Sequence, residues 1–176
     1  IDCDVFVAGG GLAGVCAAIA AARSGAKTVL VQDRSRLGGN ASSEIRMHPL
    51  GISVEKWGWR EAGILEEIKL DNAAGNPQRS WEIWDLLLYD KCVSEPNLTL
   101  ILDTAVFAAE SDGGQIHAAY ARCDKTLTIY KINAKIFIDC TGDSRLAMEA
   151  GAELMDGREG SEKFGEPLAD TYQKGG

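Results

Sequence analysis

A glycine-rich segment near the start of the chain constrains the fold more than any other feature. Gly9, Gly11 and Gly14 follow the pattern G-x-G-x-x-G, between an apolar run at residues 3–8 and an alanine-rich stretch at residues 15–24. The apolar run predicts a strand buried on both faces, and the alanine-rich stretch predicts a helix. Because the motif is informative only between a strand and a helix, this context predicts a turn that holds the phosphates of a dinucleotide.

The three motif glycines are expected to have different tasks. Gly9 permits the tight turn after the strand, Gly11 lets a pyrophosphate approach the backbone, and Gly14 lets the helix pack closely on the strand. Gly25 ends the helix, and residues 28–32 form a second buried strand that completes a right-handed βαβ unit. The alternative is a glycine turn that holds no ligand.

Charge and composition narrow the function classes. The 176 residues include 18 basic and 26 acidic side chains, for a net charge of −8, and 45% of them are apolar. The chain has no apolar run long enough for a membrane span, and an acidic chain without a basic block argues against nucleic acid as a partner. An anionic dinucleotide is still compatible with this charge. Amide hydrogen bonds to a charged acceptor contribute about 1.5–3 kcal/mol each, whereas distant carboxylates are screened beyond about 8–10 Å.

The five cysteines are scattered and include no C-x-x-C pair. We interpret them as reduced and mostly buried, rather than as a disulfide framework or a metal site. This cysteine usage favours a cytoplasmic protein. The chain begins at Ile1, however, and an exported protein whose signal peptide had been removed would give the same sequence.

The remaining residues complete an α/β fold class: a Rossmann-like parallel sheet with a βαβ dinucleotide-binding unit and a three-stranded antiparallel β-meander. Pro77 after Asn76 predicts a helix start, and Trp84 and Leu88 lie at helical spacing with their side chains toward the core. Apolar runs separated by turn residues predict the meander. The expected later elements are strands at 98–102, 105–111, 115–123, 126–133 and 135–140 and a short helix at 145–150.

The end of the second strand offers two candidates for a ribose contact. Dinucleotide sites commonly place an acidic residue about 20 residues beyond the glycine motif. Counting places Gln32 at that position, where its amide could bind a hydroxyl as a neutral partner. Asp33 is the ligand if the strand end is shifted by one residue, and otherwise a solvated side chain. Both possibilities stay open.

Three segments together resemble a known family. Residues 8–14, AGGGLAG, residues 32–40, QDRSRLGGN, and residues 139–143, DCTGD, are similar to FAD-dependent oxidoreductases with a glutathione-reductase-type FAD domain. The resemblance covers nearly the whole chain in the right order. Two departures matter. Gln32 replaces the usual acid, which bears on the ribose contact, and Cys140 replaces a usual alanine, which is a small-for-small change.

The resemblance implies FAD as the cofactor and a set of contacts for it. The first segment would hold the pyrophosphate, the end of the second strand the adenosine ribose, and the backbone near Val106 the adenine. The loop after the second strand would pass the pyrophosphate and run toward the flavin. The implied cofactor-binding residues are Gly9, Gly11, Leu12, Ala13, Gly14, Gln32, Asp33, Arg34, Gly38, Gly39, Asn40, Ser42, Ser43, Arg46, Val106, Thr141, Gly142 and Asp143.

Several of these residues have plainer interpretations. Ser42 and Ser43 could cap a helix, and Arg46 could lie on a solvated face. His48 is a weak candidate for a catalytic proton carrier, because a lone histidine is more often structural. His117 is interpreted as a surface or packing residue. Two tryptophans, Trp57 and Trp59, could cover a ligand, but a position in a core or an interface is the more ordinary interpretation.

The resulting expectation is the FAD-binding portion of a flavin-dependent oxidoreductase that acts on a small-molecule substrate. The FAD-binding domain is expected over residues 1–155, with a helical insertion at about 52–96 and the meander at about 105–133. Residues 156–176 form a polar tail, and the resemblance implies a longer protein that continues beyond it. The alternatives are an NAD-type dehydrogenase domain, against which the meander argues, and a non-catalytic nucleotide-binding or assembly module.

Overall fold

Four short parallel strands form the central sheet of the computed structural model, which describes residues 1–50, 62–155 and 157–169. The strands are β1 (Val5–Ala8), β2 (Thr28–Val31), β3 (Leu98–Ile101) and β7 (Ile136–Asp139), in the spatial order β3-β2-β1-β7. All neighbouring pairs are parallel, so the carboxyl ends of the four strands lie at one edge. The predicted parallel sheet is confirmed.

The two central strands are buried on both faces, as their apolar sequences predicted. Val7 and Leu30 pack against the helices on one face, while Phe6 and Val29 pack against the meander on the other. Every residue of β2 is buried. This arrangement gives three layers, helix, sheet and meander, with one core on each side of the sheet.

The meander consists of β4 (Thr104–Asp112), β5 (Gln115–Cys123) and β6 (Thr128–Asn133), paired antiparallel in that order. The turn between β4 and β5 contains Gly113 and Gly114, both with positive φ. Both the meander and its strand order agree with the sequence expectation. All five cysteines are free, and Cys3, Cys92 and Cys123 are buried.

Three helices cover the other face of the sheet. They are α1 (Leu12–Arg23), α2 (Gly63–Gly75) and α3 (Trp81–Val93). Helix α1 begins within the glycine motif, three residues earlier than its alanine-rich stretch indicated. The predicted helix start at Asn76–Pro77 is wrong: Asn76 ends α2, and Ser80 is the N-cap of α3, its side chain accepting a hydrogen bond from the Ile83 amide at 3.5 Å.

Two short helices follow the last strand: α4 (Arg145–Glu149) and α5 (Ser161–Phe164). The single turn of α5 lies in the segment whose sequence showed no periodicity, because four residues are too few to display one. Among the described residues, no helix combines the length and apolar character that crossing a membrane requires.

Candidate cofactor site

A cavity of about 940 Å³ lies at the carboxyl edge of the parallel sheet. It is lined by the turns after β1, β2 and β7 and by the start of β4. Strand β1 has β2 on one side and β7 on the other, so the chain leaves this sheet edge in two directions. Ligands of open α/β sheets bind at such a switch point. Three loops that are distant in sequence therefore meet where the fold favours a ligand.

The motif glycines have the different surroundings that their expected tasks require. Gly9 has a φ of +95°, and a Cβ there would lie 2.4 Å from the Cys140 carbonyl oxygen. A Cβ on Gly14 would lie 1.8 Å from the Gly9 carbonyl oxygen, whereas a Cβ on Gly11 would meet no atom within 4 Å. Two of the glycines thus permit close packing of the protein itself, and the third leaves open space at the cavity wall.

The first turn of α1 can bind an anion. Gly11 is the N-cap and contributes no side-chain cap, and the first turn contains no acidic residue. Leu12 and Ala13 line the cavity. Because the first amides of a helix have no intrahelical acceptor, they and the positive end of the helix dipole favour a phosphate here.

The second glycine pair brings its loop against the first. Gly38 has a φ of +104°, and its amide donates a hydrogen bond to the Gly10 carbonyl at 2.8 Å. A Cβ on Gly39 would lie 3.3 Å from the Gly11 Cα. The cavity wall at this point is therefore bare backbone from two loops, which allows a large ligand to approach closely.

Helix α3 holds this second loop in place. The Trp84 indole Nε1 donates to the Ala41 carbonyl at 2.6 Å, and Asp85 Oδ1 accepts from the Ser43 amide at 3.0 Å. The Asp85 Oδ2 atom lies 3.1 Å from Arg36 Nε, although the N–H does not point at it, so the pair is an ion pair without a hydrogen bond. The sequence placed Trp84 in the core but gave no sign that it supports the loop.

Both polar atoms of the Gln32 side chain form hydrogen bonds within the protein. It is only 4% exposed; its Oε1 accepts from the Gly10 amide at 2.7 Å and its Nε2 donates to the Arg36 carbonyl at 3.1 Å. Asp33 is exposed and lines the cavity, and within the described part of the chain its carboxylate has no hydrogen bond or ion pair. The geometry leaves Asp33 the freer of the two to meet a ribose hydroxyl, and the assignment stays a prediction.

Asp139, at the end of β7, orders the third loop. Its Oδ1 accepts from the Thr141 amide at 2.9 Å and the Thr141 hydroxyl at 2.7 Å, while Oδ2 accepts from the Ala147 amide at 2.8 Å. The Thr141 hydroxyl oxygen in turn accepts from the Arg145 amide at 2.7 Å. Gly142, with a φ of +85°, has open space beside it. One carboxylate thus fixes the loop between β7 and α4.

Most of the residues implied by the resemblance line this cavity: Gly9, Gly11, Leu12, Ala13, Gln32, Asp33, Arg34, Gly38, Gly39, Asn40, Val106, Thr141, Gly142 and Asp143. The exceptions are Gly14, Ser42, Ser43 and Arg46. Gly14 acts through packing. Ser42 is buried and its hydroxyl accepts from the Glu44 amide at 3.2 Å, a bond that closes a turn and does not cap a helix.

Arg46 faces away from the cavity as an exposed side chain. Its Nε donates to the Ser43 carbonyl at 3.1 Å, and its guanidinium lies 3.7 Å from a Glu82 carboxylate oxygen. Arg46 does not line the cavity, and its contact with the cofactor stays a prediction. Two arginines line the cavity: Arg34, which is among the residues implied by the resemblance, and Arg145, which is not and which pairs with Glu149 at 2.6 Å.

The histidines occupy different environments. His48 lines the cavity and its ring lies 5.2 Å from the Trp81 ring. His117 is exposed on the meander, 3.0 Å from an Asp112 oxygen, as expected of a surface residue. Trp57 and Trp59 lie outside the described residues. Within those residues, no group of three or more histidine, cysteine, aspartate or glutamate side chains is placed to hold a metal ion.

The solved structures to which this chain is similar include flavoenzymes. The chain is similar to the flavin-dependent monooxygenase PieE in complex with FAD and substrate (15% identity, TM-score 0.57), over 90% of this chain and 33% of that one. It is similar to p-nitrophenol 4-monooxygenase PnpA from Pseudomonas putida DLL-E4 (13%, 0.56), over 89% and 45%. It is also similar to Thermovibrio ammonificans THI4, with 17% identity and a TM-score of 0.59, over 99% of this chain and 77% of that one. The chain thus spans less than half of both monooxygenases.

A family model gives the assignment that these distant structures alone do not. The model described as FAD dependent oxidoreductase matches residues 4–175, which includes all three cavity loops. The cavity fits FAD, because it combines a helix start free of acidic residues, bare backbone at Gly11 and Gly39, and the exposed carboxylate of Asp33. The chain therefore belongs to the FAD dependent oxidoreductase family.

Proposed function

We propose that the cavity at the carboxyl edge of the sheet binds the adenosine and pyrophosphate half of FAD for a flavin-dependent oxidoreductase. The observation that carries the proposal is the open space at Gly11, next to an uncapped helix start and facing a second glycine loop. At Gly9 and Gly14 neighbouring protein atoms account for the missing Cβ. Gly11 has neither such neighbours nor a positive φ, and the close approach of a pyrophosphate accounts for a glycine at this position of the motif.

Each part of the cavity has a task in this proposal. The amides of Leu12 and Ala13 donate to the pyrophosphate, and Asp33 accepts from the ribose hydroxyls. The backbone near Val106 meets the adenine. The loop that Asp139 orders presents Gly142 and Asp143 to the middle of the cofactor. These contacts orient FAD and hold it rigidly.

Bound FAD supplies the two-electron redox chemistry, so the chain itself need not carry a full acid–base constellation. Among the described residues that line the cavity, His48 is the candidate proton carrier. The partner is a small molecule, which agrees with a net charge of −8 and with the absence of a basic block. Five free cysteines support a cytoplasmic location.

Reconstitution with FAD tests the proposal. The chain is mixed with excess FAD, passed over a desalting column and examined for the visible absorbance of a bound flavin. Calorimetry then compares FAD with NAD. We expect retained flavin and tighter binding of FAD. A folded chain that retains no FAD, or that binds NAD more tightly, contradicts the proposal and favours the dehydrogenase alternative.

A further inference from the structure

A second cavity, of about 440 Å³, adjoins the cofactor cavity. We call it the side cavity. It is lined by α2, by α3, by the turn that joins them and by His48 and Pro49, and these last two residues also line the cofactor cavity. Its volume is in the range of small-molecule sites. A molecule in the side cavity would therefore lie next to whatever fills the larger one.

The charged side chains that line the side cavity are all basic. Lys69 lies on α2 and Arg79 on the turn, and no carboxylate lines the cavity among the described residues. Neither cation has an ion pair with another described residue. By contrast, the neighbouring Lys91 is paired with both Glu67 and Asp71. Among the described residues the two cations thus line one cavity without a counter-charge, which favours an anion there even in a chain of net charge −8.

The turn that carries Arg79 is strained and firmly held. Arg79 has a φ of +55°, which a residue other than glycine rarely adopts, and its amide donates to the Asn76 carbonyl at 2.9 Å. Asn76 is buried; its Nδ2 donates to Asn72 Oδ1 at 2.9 Å and to the Ser80 carbonyl at 2.7 Å, and its Oδ1 accepts from the Ser80 amide at 2.8 Å. Such a conformation persists only where surrounding contacts impose it, and it is most common at functional sites.

The rest of the lining combines apolar and aromatic side chains with the polar residues His48, Asn72, Asn76 and Ser80. Trp81, Trp84, Pro49 and Ala73 line the cavity beside the two cations. A ligand that matches both features has an apolar or aromatic body and a negatively charged end. The planar guanidinium of an arginine pairs well with the two oxygens of a carboxylate.

We propose that the side cavity binds the carboxylate end of an organic substrate through Lys69 and Arg79. This inference rests on the proposed FAD site, because the shared residues His48 and Pro49 would place the rest of the substrate toward the flavin. The loop that contains them begins at Gly38–Gly39, which lie against the glycine turn after β1. The family resemblance implies that this loop runs toward the flavin. The site therefore selects organic acids among the possible substrates.

Benzoate and benzamide are suitable probes, since they share one shape and differ in charge. The chain loaded with FAD is titrated with each, and the dissociation constants are determined by ligand-observed NMR. We expect benzoate to bind at least about 10-fold more tightly than benzamide, because a charge-assisted hydrogen bond contributes about 1.5–3 kcal/mol. Equal binding of the two probes overturns the proposal.

Three variants locate the binding. Lys69→Gln and Arg79→Asn each remove one cation, and asparagine tolerates the left-handed backbone of Arg79. We expect each to weaken benzoate binding about 10-fold and to leave benzamide binding unchanged. Lys27→Gln removes an exposed cation far from the side cavity and serves as the matched control. Benzoate binding that all three variants leave unchanged overturns the assignment, as does tighter binding of inorganic phosphate than of benzoate.

The same titrations separate this inference from the proposed function. Flavin absorbance reports FAD retention in every variant, and benzoate is also titrated into the chain without FAD. If FAD is not retained but benzoate binding depends on Lys69 and Arg79, the carboxylate site stands and the FAD proposal fails. If FAD is retained and the cations have no effect, the carboxylate site fails alone.

Discussion

At the scale of single residues, Gly11 and Gly14 differ in what surrounds them, as their different expected tasks require. Gly11 has a φ of −62° and a ψ of 174°, which any residue can adopt, and its missing Cβ leaves open space. A valine there should fold normally and obstruct the pyrophosphate. We expect Gly11→Val to leave the melting temperature unchanged and to weaken FAD binding at least about 10-fold, through lost amide contacts. Thermal melts and calorimetric titration measure the two effects.

Gly14→Ala is the matched comparison, because its Cβ would lie 1.8 Å from the Gly9 carbonyl oxygen. Overpacking of this kind costs about 1–3 kcal/mol or more. In a chain of this length that lowers the melting temperature by several degrees. If Gly11→Val destabilises the chain as much as Gly14→Ala does, the space at Gly11 serves the fold and not a ligand.

The ribose contact can be decided between Gln32 and Asp33. Gln32→Met removes both side-chain hydrogen bonds and should destabilise the chain by about 1–3 kcal/mol, because the buried Gly10 amide loses its partner. Asp33→Asn removes an exposed charge and should leave stability unchanged while it weakens FAD binding several-fold. Urea unfolding and FAD titration of both variants test this. Weaker FAD binding in Gln32→Met at unchanged stability would assign the ribose to Gln32 instead.

At the scale of elements, α3 supports a loop that belongs to the cofactor cavity. The Trp84 indole is the hydrogen-bond donor to the buried Ala41 residue. Trp84→Phe removes that donor and leaves the Ala41 carbonyl without it, at a cost of about 1–3 kcal/mol. We expect faster amide hydrogen exchange in residues 38–43 and weaker FAD binding together.

Trp81→Phe is the control for that experiment. The Trp81 indole has no hydrogen-bond partner among the described residues, although the ring packs near His48. Exchange in residues 38–43 should therefore stay as in the parent chain. If Trp84→Phe leaves exchange and FAD affinity unchanged, α3 does not support the loop.

The elements also show what sequence patterns can and cannot predict. Strands β1 and β2 and the meander were predicted because their burial and turns are encoded locally, in apolar runs and in glycine or aspartate at turns. The start of α3 was misplaced because Pro77 is only one possible signal, and Ser80 supplies the actual cap. The contact between Trp84 and Ala41 joins residues 43 positions apart, and helical spacing says only that Trp84 points inward. Likewise, no pattern indicates that the side-chain oxygen of Gln32 accepts a hydrogen bond from the Gly10 amide.

At the scale of the whole molecule, one ion-pair network joins the three helices that cover the sheet. Arg23 of α1 pairs with Glu67 of α2, and Lys91 of α3 pairs with the same carboxylate. Hydrogen bonds from Arg23, which has the larger effect, and from Lys91 lower the pKa of Glu67 to about 2 from an ordinary 4.5. The stabilisation is therefore complete above about pH 4.5 and is lost as the pH falls toward 2.

Glu67→Gln tests this network. Because Glu67 is partly exposed, solvent screening reduces its contribution to about 1 kcal/mol. We expect the parent chain to lose about that much more stability than Glu67→Gln between pH 5 and pH 2.5, measured by urea unfolding. Glu153→Gln, at an exposed carboxylate, should follow the parent. Parallel pH profiles for the parent chain and Glu67→Gln would show that the network adds no stability.

The most direct test of the central claim compares the binding of FAD with the binding of ADP and of FMN. We propose that the cavity binds the adenosine and pyrophosphate half, so ADP should compete with FAD for the chain. FMN, which lacks the adenosine half, should bind far more weakly. Competition calorimetry on the parent chain measures all three affinities. We expect ADP to displace FAD and FMN to leave it bound. Tight binding of FMN, or no displacement of FAD by ADP, would contradict the assignment of this cavity.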